Sequence, residues 1–109
     1  MFVYLSGKIT DTSRDKELQN IDRFHNLERI LVRAGLEVFN PARLENEGWS
    51  WEKYLARDLR FIMENKPLML MMENWTTSRG ARLEHALAKE LQLSIVYEEV
   101  LCKIFGREL

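Results

Sequence analysis

The sequence has little of what marks several common protein classes. It contains a single cysteine, Cys102, so no disulfide can form within the chain, and one thiol fits a reducing compartment. No apolar run reaches the roughly 18 residues that a membrane span requires. The opening residues, MFVYLSG, are typical of a strand rather than of a signal peptide. We therefore expect a cytoplasmic protein that has no membrane partner.

Neither sign of charge dominates the chain. Sixteen basic residues face 17 acidic ones, for a formal net charge of −1, and the two signs are interspersed. A protein that binds polymeric nucleic acid would show a basic surface, so DNA or RNA as a polymer is a poor candidate partner. With 109 residues, 46% of them hydrophobic, the chain can build one compact domain, residues 1–109, and shows no repeat or linker.

Four short apolar segments alternate with four amphipathic ones. The predicted strands are Phe2–Leu5, Leu36–Phe39, Pro67–Met72 and Ser94–Tyr97, and the predicted helices are Arg14–Ala34, Trp51–Asn65, a segment from about Ser78 to Leu91, and Glu98–Leu109. The run PLMLMM is too unbroken for a half-exposed strand, so it is predicted to lie in the centre of a parallel sheet. The alternation predicts an α/β fold, a flavodoxin- or Rossmann-like doubly wound parallel sheet of strand order 2-1-3-4 with helices on both faces.

In such a sheet, ligands bind at the carboxyl ends of the strands. The loop SGKITDTS follows the first strand and could present backbone N–H groups to an anion. It lacks both the Walker pattern and GxGxxG, so an ordinary connecting loop explains it equally well. The segment NPARLENEGWS follows the second strand. Its Trp49, or the neighbouring Trp51, could stack on a ligand ring or pack on the core as a helix-entry aromatic.

Two acids occupy positions on the apolar faces of helices. Glu84 falls within the stripe formed by Ala81, Leu83, Leu87, Ala88 and Leu91, whereas Arg82, His85, Lys89 and Glu90 are predicted to point outward. Asp58 lies within a stripe of large apolar residues on the preceding helix. A buried carboxylate destabilises the fold unless it is paired or hydrogen-bonded, so each acid needs an explanation. A structural hydrogen bond is one explanation for Asp58, and a functional site is the other.

Together the acids suit glycosidic or acyl chemistry, and the helix start Ser78-Arg79-Gly80 could bind a phosphate or carboxylate. A metal site is disfavoured because no third or fourth ligand points the same way, and we expect no metal and no cofactor.

An ordered set of motifs resembles a known family. YLSGKIT, NPAR, W-x-x-Y-L-x-x-D-L and S-x-G-A-x-x-E-x-x-x-A followed by IVYE resemble the nucleoside 2-deoxyribosyltransferase-like superfamily, most closely its small branch from bacteria and phages. The resemblance implies that Glu84 attacks the anomeric carbon and that Asp58 and Tyr4 line the site. It also implies that Ser78 and Gly80 bind a 5′-phosphate. Two departures are Lys8, where members usually carry Pro or Ser, and Asn65-Lys66-Pro67, where they carry Asp.

The resemblance therefore implies an enzyme that cleaves or transfers at the N-glycosidic bond of a 2′-deoxynucleoside or its 5′-monophosphate. The expected catalytic residues are Glu84, Asp58 and Tyr4, and the expected substrate-binding residues are Ser6, Gly7, Lys8, Asn40, Ser78, Arg79 and Gly80. The alternative is a catalytically inactive nucleotide-binding, sensing or interaction module of the same fold. Two inward acids favour the enzyme. Three tryptophans and an apolar C-terminal segment predict a homodimer or larger homo-oligomer.

Overall fold

A four-stranded parallel sheet forms the centre of the fold in a computed structural model, which describes residues 2–44 and 48–105. The strands are β1 (Phe2–Ser6), β2 (Glu37–Phe39), β3 (Leu68–Met71) and β4 (Ile95–Tyr97). Their order is β2-β1-β3-β4, and each neighbouring pair is parallel. The predicted fold class and strand order are confirmed. The carboxyl ends of all four strands therefore meet at one edge of the sheet.

Four α-helices connect or follow the strands: α1 (Arg14–Arg33), α2 (Trp51–Asn65), α3 (Arg79–Glu90) and α4 (Glu98–Phe105). Short 3₁₀ helices lie at Pro41–Leu44 and Trp75–Thr77. Serine side chains cap the first three α-helices by accepting a backbone N–H three residues on, at Ser13, Ser50 and Ser78. The predicted continuation of the last helix to Leu109 lies outside the described residues.

The two faces of the sheet carry separate apolar cores. Successive side chains of a strand point to opposite faces, and on β1 this places Val3 and Leu5 against Phe24 of α1. Tyr4 packs on the other face with Ile62 of α2 and residues of α3. Ser6, two residues after Tyr4, shares that second face. The end of β1 therefore presents two hydroxyl groups to the layer formed by α2 and α3.

The buried face of α3 is narrower than predicted. It centres on Glu84 between the small residues Ala81 and Ala88, and all three are buried. Leu83, predicted to be buried, is 41% exposed because it lies about 100° from Glu84 around the helix. His85, predicted to point outward, is half-buried because the ring of Trp75 stacks on it with centroids 4.3 Å apart.

Among the residues that the structure describes, none of the helices combines the length and the apolar character that a membrane crossing needs.

Candidate functional site

Two buried carboxylates lie between α2 and α3 at the carboxyl ends of the strands. Asp58 of α2 is 7% exposed and Glu84 of α3 is 5% exposed. Both line the same small cavity, of about 60 Å³. The other residues that line it are Gly7, Ile9, Thr10, Pro41, Leu55, Ser78, Gly80 and Ala81. The structure thus brings the two predicted acids together at the edge where parallel sheets bind ligands.

Glu84 is held by two hydroxyl groups from the end of β1. The Tyr4 hydroxyl donates to Oε2 at 2.6 Å, and the Ser6 hydroxyl donates to Oε1 at 2.7 Å. Each carboxyl oxygen therefore has a short, buried hydrogen bond, and the two bonds offset part of the cost of burying the charge. The same two contacts fix the orientation of the carboxyl group toward the cavity.

Tyr4 is held in place by a stack of aromatic rings. Its ring lies parallel to that of Phe39 of β2, with centroids 5.2 Å apart and an interplanar angle of 11°. Phe39 in turn stacks on Phe61 of α2 at 4.0 Å. Burial and the charge of Glu84 raise the pKa of Tyr4 well above its ordinary value of 10.0. Tyr4 therefore keeps its proton and serves as a donor behind Glu84 rather than as a wall of the cavity.

The environment separates the proton affinities of the two acids. Burial, and then the negative charge of Asp58, raise the pKa of Glu84 to about 8, against the opposing effects of its two hydrogen bonds and of Arg57. Burial also raises the pKa of Asp58 above its ordinary value of 3.8, although the hydrogen bonds and charge of Arg57 oppose this shift. Burial and mutual repulsion therefore favour keeping a proton on the pair, and the contact with Arg57 favours the ionised form of Asp58.

Arg57 belongs to the site although the sequence did not indicate it. Its Nε and Nη2 atoms both donate to Oδ1 of Asp58, at 2.9 and 2.7 Å. Its guanidinium carbon lies 5.4 Å from the ring centroid of Tyr54 and 5.9 Å from that of Trp49. Adjacent helical residues point about 100° apart, so a helix-face argument gives no signal for an ion pair between consecutive residues.

The predicted binding residues after β1 have different roles. Gly7 lines the cavity, and its lack of a side chain is required, since a Cβ would lie 2.9 Å from Met72 Cβ. Lys8 is not among the residues that line the cavity. Its backbone N–H donates to Asn74 Oδ1 at 3.1 Å, and its ammonium group lies 3.6 Å from Asp11. Ser6 does not line the cavity either, and it acts on the site by donating a hydrogen bond to Glu84.

Asn40 supports the loop after β2 instead of reaching the cavity. Its Oδ1 accepts the backbone N–H of Ala42 at 3.0 Å, and its Nδ2 donates to Glu28 Oε1 at 2.9 Å. Nδ2 also lies 3.1 Å from Nδ1 of His25. These contacts tie the 3₁₀ helix to α1 and place Pro41, the next residue, on the cavity wall.

The start of α3 forms one side of the cavity mouth. Ser78 and Gly80 both line the cavity, and a Cβ added at Gly80 would meet no atom within 4 Å. Arg79 is exposed, with its guanidinium carbon 4.6 Å from the centroid of the Trp51 ring. The ammonium group of Lys53 lies 4.3 Å from the centroid of the Trp49 ring. Both tryptophans therefore support cations beside the site, and neither lines the cavity itself.

Within residues 2–44 and 48–105, no group of three or more His, Cys, Asp or Glu side chains is placed to hold a metal ion.

A model of one protein family matches the chain over residues 1–97, and that family is described as a domain of unknown function (DUF4406). The matched stretch runs from β1 to Tyr97 at the end of β4 and includes both buried acids. No curated protein and no solved structure matches the chain.

Proposed function

Because the chain belongs to the DUF4406 family, whose description names no activity, we propose its function from the site itself. The protein cleaves or transfers at the N-glycosidic bond of a 2′-deoxynucleoside or its 5′-monophosphate. The carrying observation is that two buried carboxylates line one cavity while two hydroxyls hold Glu84 in place. The resemblance to the nucleoside 2-deoxyribosyltransferase-like superfamily supports the same reaction. A cytoplasmic location is part of the proposal and rests on the single cysteine.

Glu84 is the nucleophile in this reaction. One of its carboxylate oxygens bonds to the anomeric carbon as the bond from that carbon to the base nitrogen breaks, which leaves a glycosyl ester on Glu84. Water, or the nitrogen of a second base, then attacks the anomeric carbon and releases the carboxylate. Tyr4 and Ser6 keep the carboxyl group oriented through both steps.

The single proton on the acid pair has a place in the reaction. A departing base leaves as an anion unless it is protonated, whereas Glu84 must be ionised to attack. The raised pKa of Glu84, about 8, means that the resting site holds one proton for this purpose. Transfer of that proton to Asp58, and from Asp58 to the base, frees the nucleophile and neutralises the leaving group in one sequence.

The alternative function is a nucleotide-binding module without turnover. Its supporting observation is that both acids already have partners in the protein: Glu84 accepts from the Tyr4 and Ser6 hydroxyls, and Asp58 accepts from Arg57. Such a module would bind a nucleotide reversibly and leave its glycosidic bond intact.

Base release and covalent trapping distinguish the two functions. The protein is incubated with each deoxynucleoside and each 5′-monophosphate, and the free base is measured by chromatography. A 2′-deoxy-2′-fluoroarabino analogue, whose fluorine slows breakdown of the ester, is used to trap the intermediate for mass spectrometry. We expect base release and a glycosyl adduct on the peptide that contains Glu84, and neither in Glu84→Gln. The matched control is Glu90→Gln at an exposed position of the same helix. Binding of a nucleotide without base release and without an adduct would refute the enzymatic function and support the binding module.

The rate of base release is expected to depend on pH through the acid pair. The singly protonated pair is the active form, so the rate should fall above a pH near 8, the pKa that burial gives Glu84. It should fall again in acid as Asp58 is protonated, at a pH above that residue's ordinary value of 3.8. A rate that rises through pH 8 to a plateau would contradict the proposed role of the proton.

A further inference from the structure

A second cavity, of about 440 Å³, lies on the α1 side of the same sheet edge. The residues Arg14, Glu17, Ile21 and His25 of α1 form one wall, and Arg43 of the 3₁₀ helix lies opposite. This volume falls within the usual range for small-molecule sites, roughly 300–1,000 Å³. The cavity at the acids, about 60 Å³, holds on the order of two water volumes. A nucleoside therefore cannot fit in the small cavity alone.

The two cavities are neighbours. Ile9 lines both of them. Two consecutive residues also connect the cavities: Pro41 lines the small cavity, and Ala42 lines the large one. Because the base is bonded directly to the anomeric carbon, a ligand with that carbon at the acids would extend the far edge of its base past Ile9 into the large cavity.

The large cavity offers several hydrogen-bond donors. Asn40 is 5% exposed and its amide nitrogen, a donor, lies 3.1 Å from Nδ1 of His25. Nδ1 must then be the acceptor, so the proton of the neutral ring is on Nε2, which becomes a donor. Arg14 and Arg43 can only donate, and the carboxylate of Glu17 can only accept. Arg43 is oriented by Glu28, whose Oε1 lies 2.7 Å from its Nε.

We propose that this cavity is the subsite for the leaving base and that the base is an oxopurine, guanine or hypoxanthine. The inference rests on the proposed function. A guanidinium group matches the adjacent O6 and N7 acceptors of an oxopurine, which is the commonest base-specific contact of arginine. The Glu17 carboxylate accepts the N1–H of the same base. Adenine presents an amino donor where an oxopurine presents O6, so two arginines and a histidine disfavour it.

The test measures binding of free bases, with Glu84→Gln as the background so that turnover plays no part. Hypoxanthine, adenine and thymine are titrated and followed by calorimetry and NMR. Ile21→Trp fills the large cavity, and Leu18→Trp places the same side chain at an exposed position of the same helix. Arg14→Gln replaces the charged, bidentate guanidinium group with a neutral amide at a largely exposed side chain, so its result does not depend on how Ile21→Trp folds.

Hypoxanthine should bind about tenfold more tightly than adenine or thymine, and Arg14→Gln should remove most of that preference. Ile21→Trp should abolish binding, whereas Leu18→Trp should leave it unchanged. The proposal is overturned if hypoxanthine does not bind, or if it binds equally well to Arg14→Gln and Ile21→Trp.

The outcome for the subsite is separate from the outcome for the reaction. Base binding that depends on Arg14 and Ile21, in a protein that releases no base from any nucleoside, would support the cavity and remove the proposed reaction. Base release with the same KM for deoxyinosine and thymidine, unchanged in Arg14→Gln, would support the reaction and overturn the subsite.

Discussion

Replacing Glu84 with Gln should stabilise the protein, and the gain should increase with pH. Glutamine keeps the shape of the side chain and can hydrogen-bond to both the Tyr4 and Ser6 hydroxyls, but it cannot ionise. The wild-type protein must bury a negative charge beside Asp58 once Glu84 loses its proton. The substitution removes that charge together with the proposed nucleophile, so we expect a more stable but inactive protein.

The magnitude follows from the raised pKa. Glu84 titrates at an ordinary value of 4.5 when exposed and at about 8 in the folded protein. The folded state therefore binds the proton more tightly than the unfolded state, and stability falls as pH rises between these two values. At roughly 1.4 kcal/mol per pH unit, the interval corresponds to about 5 kcal/mol. The wild type should lose this much stability between pH 4.5 and 8 through Glu84, whereas Glu84→Gln should lose none of it.

Urea denaturation followed by tryptophan fluorescence measures the effect at pH values from 5 to 9. The difference in unfolding free energy between Glu84→Gln and wild type should widen up to a pH near 8 and stay constant above it. Glu64→Gln is the control, because the Glu64 side chain is 60% exposed and pairs with Arg60 at the surface. That substitution should produce little change and no trend with pH.

Two results would refute the reasoning. Parallel pH profiles for the wild type and Glu84→Gln would show that Glu84 ionises in the folded protein as it does when unfolded. A variant that is less stable than the wild type at every pH would show that the ionised carboxylate stabilises the fold through its hydrogen bonds.

Further outcomes follow from the glycines at the cavity and from α4. Gly7→Ala should destabilise the protein by about 1–3 kcal/mol, since its Cβ would lie 2.9 Å from Met72 Cβ, as urea denaturation can measure. A Cβ at Gly80 would meet no atom within 4 Å, so Gly80→Ala should instead stabilise the helix by about 0.5–1 kcal/mol. The same substitution should weaken substrate binding, and a less stable protein would contradict the prediction. Val100 and Ile104 are exposed on α4, so light scattering at micromolar concentration should show a dimer or larger assembly, and a monomer would refute the prediction.

The fold could be predicted because its signals are local. The unbroken run PLMLMM and the Gly that follows α1 indicate strand and boundary without reference to distant residues. The right-handed crossover rule then leaves few ways to order four parallel strands. The prediction failed where packing across elements decides the outcome. Leu83 is exposed because Ala81 and Ala88 set the buried face of α3, and His85 is covered because Trp75 lies over it.

The candidate site could be predicted in part. A charge on an apolar helical face marked Asp58 and Glu84, since such a position has few ordinary explanations. Arg57, by contrast, is one of 16 basic residues in the sequence. Its two hydrogen bonds to Asp58, which mark it as part of the site, are visible only in the structure. Lys8 and Asn40 are predicted to bind substrate, and the contacts that the structure shows for them are with their own or neighbouring loops and with α1. The donor tautomer of His25 depends on a partner 15 residues away.

The hydrogen bond from Tyr4 to Glu84 joins residues 80 positions apart, and this separation bears on how the chain acquires its site during synthesis. β1 emerges before its central neighbour β3, which begins at Leu68. Closing so long a loop is entropically costly, and parallel pairings of this kind form slowly. Until α3 docks, Glu84 is an exposed carboxyl with an ordinary proton affinity. The raised pKa of Glu84 thus reports whether α3 has docked, and carboxyl-selective isotope labelling during refolding can measure it.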